Sequence, residues 1–131
     1  LSTIHRLLFR STSGRVGKRL VDNDMLLLTT IGRRSGKPHT VPLLYLRDGG
    51  DLVVIASWGG RPHHPQWFAN LVDHPEVGVA LPGTRFPAIA TAMAEPERSA
   101  WWDRAVVAYQ GYAEYQARTD RIIPVVRLVP A

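Results

Sequence analysis

The sequence predicts a mainly β fold with flanking helices (α+β), a small barrel of about six mostly antiparallel strands. Short runs rich in β-branched and aliphatic residues recur along the chain, and turn residues separate them. Tight turns at DGGD (48–51) and at Pro82-Gly83 join neighbouring runs directly. Helical spacing appears in few segments, whereas a doubly wound sheet alternates helices with strands. These observations favour a barrel over a doubly wound sheet.

The expected strands are bounded by Gly, Pro and Asp clusters. They are 25–31, 39–46, 52–57, a hairpin within 77–94, and a final strand in 121–130. The first three are expected to pair consecutively. Pro124 indicates an edge or a bulge in the last strand, because proline cannot donate to a sheet ladder.

Three segments show helical spacing of apolar residues. They are a basic amphipathic stretch at 3–10, a helix at 65–74 that begins at Pro65, and a helix at 95–118. Gly111 predicts a break or bend in the third. The predicted order is helix, three strands, helix, two strands, helix, strand.

Length and composition predict one folded domain, 1–131. The chain has 45% hydrophobic and 21% charged residues and no linker or repeat. No apolar run reaches the roughly 18 to 20 residues needed to cross a bilayer, and no signal peptide is evident. We therefore expect a cytoplasmic protein, with the N-terminal helix on its core or peripherally on the inner face of the membrane. The absence of cysteine excludes disulfides, thiolate catalysis and Cys-ligated metal centres.

The net charge of +5 is concentrated at one end of the chain. Residues 1–40 contain eight Lys or Arg against two Asp, whereas the other 91 residues contain eight against nine. This asymmetry indicates either an anionic partner or a solvated basic face. Nucleic acid is disfavoured, because the aromatic residues do not interleave with the basic ones as stacking platforms would.

The stretch TTIGRRSGKPHT (29–40) concentrates the groups that bind phosphate. It offers Arg33, Arg34, Lys37 and the Ser35 hydroxyl, with glycines that expose backbone N–H groups. It is not a P-loop, because its glycine spacing is too short and Pro38 replaces the Mg²⁺-binding hydroxyl. The alternative is an ordinary solvated cationic turn.

The chain offers few groups for catalysis without a cofactor. Its five histidines lack H-x-x-x-H spacing, so no metal site is expected. Ser35 and Ser57 lie outside a G-x-S-x-G context, and no paired carboxylates suggest glycosidase chemistry. A lack of such groups is typical of enzymes that bind and orient a cofactor, because the cofactor then supplies the chemistry.

Two further features suit a flat cofactor and a second substrate. Residues 56–60 leave a predicted strand at a pair of glycines, where a ring could approach the main chain. If the helix continues past Gly111, Tyr109, Tyr112 and Tyr115 share one of its faces. A tyrosine stripe is compatible with either core or pocket wall, and phenols favour the pocket because they need hydrogen-bond partners.

Taken together, these features resemble the deazaflavin (F420)-dependent nitroreductase and F420H2-dependent quinone reductase family. The resemblance rests on LLLTTIGRRSGKPHTVPLLYL, VIASWGGRPHHPQWFANL and AYQGYAEYQARTDRIIPVVRL, and it covers about Val16 to Pro130. It implies a split, FMN-binding-like β-barrel that binds coenzyme F420. It also implies hydride transfer to a quinone or another conjugated acceptor, including some nitroaromatics.

The resemblance implies roles for individual residues. The cofactor-binding set is Arg33, Arg34, Ser35, Lys37, His39, Ala56, Ser57, Trp58, Gly59 and Asn70. The set near the reacting atoms is Ser57, Tyr109, Tyr112 and Tyr115. Relatives often have arginine at His39 and lysine at Trp58, and Leu44 replaces a tyrosine of the acceptor pocket. Quinone reduction is therefore favoured over nitroimidazole reduction.

Three alternatives remain at this point. One is the same barrel with FMN, for which three loop cations would be excessive. The second is a non-catalytic carrier of F420 or a fatty acid, and the third is a nucleic-acid binder. The chain is expected to be a monomer or a homodimer.

Overall fold

The computed structural model describes residues 25–131. The predicted helix at 3–10 lies outside this range, and so does the choice between its packing on the core and its contact with a membrane. The described part forms one seven-stranded sheet with three α-helices. Its strands are β1 (Met25–Ile31), β2 (Pro38–Leu44), β3 (Leu46–Asp48), β4 (Asp51–Ile55), β5 (Glu76–Leu81), β6 (Thr84–Ala92) and β7 (Val125–Pro130).

The strand order is β2-β1-β5-β6-β7-β4-β3, and every pairing is antiparallel. The predicted split barrel is confirmed, because the sheet curls until β2 and β4 lie close together. The expected pairing of the first predicted strand with the second is confirmed, since β1 pairs with β2 along its whole length. The expected pairing of the second strand with the third was wrong for β2: within residues 25–131, β4 pairs with β3 and β7 instead. Seven strands replace the expected six, because the 39–46 run divides at Tyr45.

Both predicted tight turns are confirmed. Asp48 pairs with Asp51 across the first turn, and Leu81 pairs with Thr84 across the second. The last strand begins at Val125 rather than at residue 121. Pro124 cannot donate to the ladder, although its carbonyl accepts from the Ala56 N–H at 3.0 Å.

The helices lie close to their predicted positions. They are α1 (Gln66–Asp73), α2 (Glu97–Ala108) and α3 (Gly111–Ala117), and a short 3-10 turn spans Trp58–Gly60. Pro65 stands at the N-cap of α1, where its missing N–H costs no hydrogen bond. The predicted break is confirmed, since α2 ends before Tyr109 and α3 begins at Gly111.

The core consists of two main clusters on opposite faces of β4 and β7. Alternate residues of these strands point to opposite sides, so Val54 and Val126 face the barrel interior with Trp67 and Leu71 of α1. Their neighbours face α2 and α3, and this second cluster contains Val53, Ile55, Trp101, Ala105, Tyr112, Ile123 and Val125. Burial on both faces places α3 beside the end of β4, where the 3-10 turn begins.

Candidate cofactor and acceptor site

The basic loop connects β1 to β2 as a closed turn. The Gly32 N–H donates to the Lys37 carbonyl at 2.8 Å, and the Gly36 N–H donates to the Gly32 carbonyl at 2.9 Å. Gly36 has a φ of 71°, which favours glycine. Gly32 is buried, and a Cβ there would lie 2.9 Å from His39 Nε2. The closed backbone leaves the side chains of Arg34, Ser35, Lys37 and His39 exposed.

Asn70 of α1 anchors this loop from the barrel side. Its Oδ1 accepts from the Arg33 backbone N–H at 3.1 Å and from Arg33 Nη1 at 3.0 Å. Its Nδ2 donates to the Thr30 hydroxyl at 3.2 Å. Asn70 is only 4% exposed, and its polar atoms are engaged within the protein. Asn70 therefore positions the Arg33 guanidinium, rather than offering a free polar atom to a ligand.

A cavity of about 710 Å³ opens beside the loop. Its lining combines cationic and polar groups with an apolar wall: Gly32, Arg33, Arg34, Ser35, Pro38, His39, Thr40, Val41, Gln66, Trp67 and Asn70. No acidic residue is among them. The cavity thus combines the size of a cofactor site with positive charge at its rim.

The sequence-predicted site residues fall into two groups in the structure. Arg33, Arg34, Ser35, His39 and Asn70 line the cavity. Lys37 lies on the same loop but outside the lining. The turn at 56–59 and the three tyrosines do not line it either. Within residues 25–131 they form a second region, where β4, β7 and α3 meet.

The turn after β4 has an unusual backbone. Trp58 has a φ of 44°, in the left-handed region that glycine favours, and Gly59 and Gly60 follow at 63° and 78°. None of the backbone hydrogen bonds within residues 25–131 uses the N–H groups of Ser57, Trp58 or Gly59 as donors. Successive N–H groups in this conformation can bind an electronegative group. Trp58 is 38% exposed, and the Arg61 guanidinium lies 4.7 Å from the centroid of its ring.

The three tyrosines are in contact although the helix does not continue through them. The Tyr112 ring lies 6.0 Å from that of Tyr109 and 6.2 Å from that of Tyr115, both edge to face. Tyr112 is 7% exposed within the second core cluster, whereas its two partners are half-buried. Burial, with the neighbouring phenols, raises the pKa of Tyr112 to about 12. Its hydroxyl therefore stays protonated near neutral pH.

Sequence analysis missed Arg121, whose side chain binds the main chain of the turn after β4. Its guanidinium donates to the Ala56 carbonyl at 3.2 Å, to the Ser57 carbonyl at 2.6 Å and to the Arg61 carbonyl at 2.9 Å. It also contacts His64 Nδ1 at 2.9 Å. Main-chain carbonyls carry no sequence signature, so no motif could have identified these partners.

Two other observations concern residues 25–131. No helix in this range is long and apolar enough to span a bilayer. No three His, Cys, Asp or Glu side chains in the same range lie together in a way that could hold a metal ion.

The curled antiparallel sheet with a cationic cavity beside it defines a split-barrel protein of the FMN-binding-like class. Within this class the chain belongs to the F420H(2)-dependent quinone reductase family, whose model covers residues 2–130. It is 36% identical over 134 residues to F420H(2)-dependent quinone reductase Rv1261c of Mycobacterium tuberculosis, covering 98% of this chain and 89% of that protein.

Solved structures agree with this placement. A structure titled F420-H2 Dependent Reductase (FDR-A) is 41% identical with a TM-score of 0.76, covering 83% of this chain and 96% of that one. Another, titled as a domain-swapped dimer, is 40% identical with a TM-score of 0.79, covering 94% and 91%. HutZ, the heme storage protein of Vibrio cholerae, is 14% identical with a TM-score of 0.59, covering 84% and 83%, and shows the fold alone.

Proposed function

We propose that this protein transfers a hydride from reduced coenzyme F420 to a quinone or another conjugated acceptor. The observation that carries the proposal is the cavity beside the basic loop, whose lining within residues 25–131 contains cations and no carboxylate, in a chain of this family. The family's name and those of its relatives support the same activity.

The residues around the cavity suit an anionic cofactor. F420 carries a phosphate and a tail of carboxylates, and both match guanidinium, ammonium and hydroxyl donors. Arg33 is held in place by Asn70, and Ser35 accepts from the Lys37 N–H at 3.1 Å while lying 3.4 Å from His39 Nε2. Arg33, Arg34, Ser35, Lys37 and His39 would hold the phosphate and tail.

The turn after β4 would take the ring. Bound F420H2 supplies the hydride, and the protein must bind, orient and shield the reacting groups. The N–H groups of Ser57, Trp58 and Gly59 would donate to electronegative atoms at the edge of the ring. The Ser57 hydroxyl, in a residue that is 9% exposed, would stabilise negative charge developing on the acceptor.

The tyrosines would form the acceptor pocket. A protonated Tyr112, with its pKa raised to about 12, can donate a hydrogen bond to a quinone oxygen. Tyr112→Phe should therefore lower turnover with quinone and leave F420 affinity nearly unchanged. If this variant only unfolds more easily, with turnover per folded molecule intact, Tyr112 is core and not part of the pocket.

The experiment mixes purified protein with reduced F420 and a short-chain menaquinone and follows cofactor absorbance. Quinone-dependent oxidation of F420H2 is expected. Tight F420 binding without turnover on any quinone or nitroaromatic would instead indicate a carrier. Equal or tighter binding of FMN in a fluorescence titration would overturn the cofactor assignment. Because one relative was solved as a domain-swapped dimer, light scattering should accompany these assays to test for a homodimer.

The basic loop has its own test. Arg34→Ala and Lys37→Ala should each weaken F420 binding by about 1 to 2 kcal/mol, near the value of a charge-assisted hydrogen bond. Both should flatten the salt dependence of binding, because salt screens exposed charges. The control ligand is the F420 precursor that lacks phosphate and tail, whose binding should not change. If both variants bind the two ligands with unchanged relative affinity, the loop is only a solvated turn.

A further inference from the structure

The guanidinium of Arg121 joins the two ends of the turn at 56–61. It reaches the carbonyls of Ala56 and Ser57 where the chain leaves β4, and the carbonyl of Arg61 where the turn ends. The contact with His64 Nδ1 extends its reach toward α1. A planar guanidinium presents its donors in a fixed geometry, which one lysine ammonium cannot reproduce.

Arg121 is itself held in place by its own segment. Gln116 Nε2 donates to the Arg121 carbonyl at 2.8 Å, and Gln116 Oε1 accepts from the Ile123 N–H at 3.1 Å. The Arg121 N–H donates to the Thr119 hydroxyl at 3.3 Å. The backbone at Arg121 is therefore fixed by hydrogen bonds within its own segment. This fixed backbone positions the guanidinium, which in turn holds the turn at 56–61.

A second set of contacts sets the turn against α3. Gly60 is buried with a φ of 78°, and a Cβ there would lie 2.9 Å from Tyr115 Cα. Arg118 Nη1 donates to the Gly59 carbonyl at 3.4 Å, and its guanidinium lies 5.6 Å from the Tyr115 ring centroid. The turn therefore keeps a defined position relative to the tyrosines.

The Arg121 guanidinium donates to three main-chain carbonyls and contacts His64 Nδ1, whereas Arg127 forms ion pairs with Asp48, Asp51 and Glu97. Because the carbonyls of Ala56 and Ser57 accept from this guanidinium, the direction of their peptide groups is fixed. In a trans peptide the carbonyl of one residue and the N–H of the next point to opposite sides. With the carbonyls of Ala56 and Ser57 directed at Arg121, the N–H groups of Ser57 and Trp58 point away from it.

We propose that Arg121 is a positioning residue for hydride transfer, which presents the N–H groups of Ser57 and Trp58 to the ring of the bound cofactor. The proposal rests on the proposed function in placing that ring against the turn. Arg121 would act through the main chain without touching cofactor or acceptor. The phosphate and tail of F420 would still be held by the basic loop.

The test compares Arg121→Met with Arg127→Met in the full chain. Both remove a partly buried guanidinium with several hydrogen bonds, but Arg127 contacts Asp48, Asp51 and Glu97, away from the turn. Three quantities are measured for each: amide hydrogen exchange of residues 56–64, F420 affinity, and kcat with menaquinone. Exchange needs no turnover, so it reports on the turn even if the proposed function fails.

Arg121→Met should speed amide exchange in 56–64 and lower kcat by about ten- to a hundredfold, since small misplacements of reacting groups cost that much. F420 affinity should change less than about threefold. Arg127→Met should leave exchange at 56–64 and kcat unchanged. Arg121→Lys, which keeps the charge without the planar fork, should fold and show an intermediate kcat.

Several outcomes would overturn the inference. One is wild-type kcat in folded Arg121→Met; another is unchanged exchange at 56–64. A third is equal loss of kcat in both variants, which would indicate a general effect of stability. If wild-type protein binds F420 but reduces no quinone, the proposed function fails, and unchanged exchange in Arg121→Met would then separately reject the positioning of the turn.

Discussion

Replacing Asn70 should lower both stability and cofactor affinity, because one buried amide joins α1, β1 and the basic loop. Asn70→Ala removes hydrogen bonds of 3.0, 3.1 and 3.2 Å to two Arg33 donors and the Thr30 hydroxyl. A net value of about 1 kcal/mol for each predicts a loss of about 3 kcal/mol in the free energy of unfolding. For a domain of this size the melting temperature should fall by roughly 10 °C.

The effect on F420 is expected to pass through Arg33. Without its amide partner the guanidinium is no longer fixed, and affinity should fall about tenfold, equivalent to about 1.4 kcal/mol. Asn70→Asp separates the two effects. A carboxylate can still accept from Arg33 and from the Thr30 hydroxyl, so stability should stay within about 1 kcal/mol of wild type. The added negative charge would offset that of Arg33 and still weaken binding.

Urea unfolding followed by circular dichroism gives the stability of each variant, and fluorescence titration gives F420 affinity. Arg127→Met serves as the control, because it should lose stability and keep affinity. The reasoning is refuted if Asn70→Ala unfolds like wild type. It is also refuted if Asn70→Asp keeps full F420 affinity, since the positive charge of Arg33 would then contribute nothing to F420 binding.

Three further predictions concern other parts of the chain. Gly60→Ala should destabilise the protein by at least about 2 kcal/mol, because the helix backbone occupies the space for a Cβ. Gly59→Ala, with open space around it, should cost only about 1 kcal/mol; equal losses would contradict the packing argument. Burial and then the Arg121 charge lower the pKa of His64, so stability should be constant above about pH 6.5 and fall below it. His64→Gln should remove that slope in acid unfolding, and an unchanged slope would assign it elsewhere. Arg127→Met should lower the free energy of unfolding in urea by about 1 to 2 kcal/mol, less than three buried ion pairs would contribute, because its carboxylate partners are partly exposed. Added salt should shrink the difference between variant and wild type, and a loss that does not depend on salt would indicate packing instead.

Local features of the sequence were enough to predict most elements. The turns at 48–51 and 82–83, the start of α1 and the break before Gly111 all depend on glycine, proline or aspartate within a few residues. The cationic loop could also be predicted from the sequence, because its charged residues and the hydrogen bonds that close it lie within one hairpin. Membership in the family followed from motifs of the same local kind.

Only the tertiary structure decided the strand order and the contacts that arrange the site. β4 pairs with β7 rather than with β2, because closing the barrel depends on which faces can be buried, and adjacency in sequence does not determine this. Asn70 and Arg33 are 37 residues apart, and Arg121 is 65 residues from the Ala56 carbonyl that it binds. From the sequence alone, Asn70 and Arg121 could equally have been solvated surface residues. Most of their partners are backbone N–H and carbonyl groups, which are present throughout any sequence, and the side-chain partners Arg33, Thr30 and His64 are distant along the chain, so only folding selects which groups are bound.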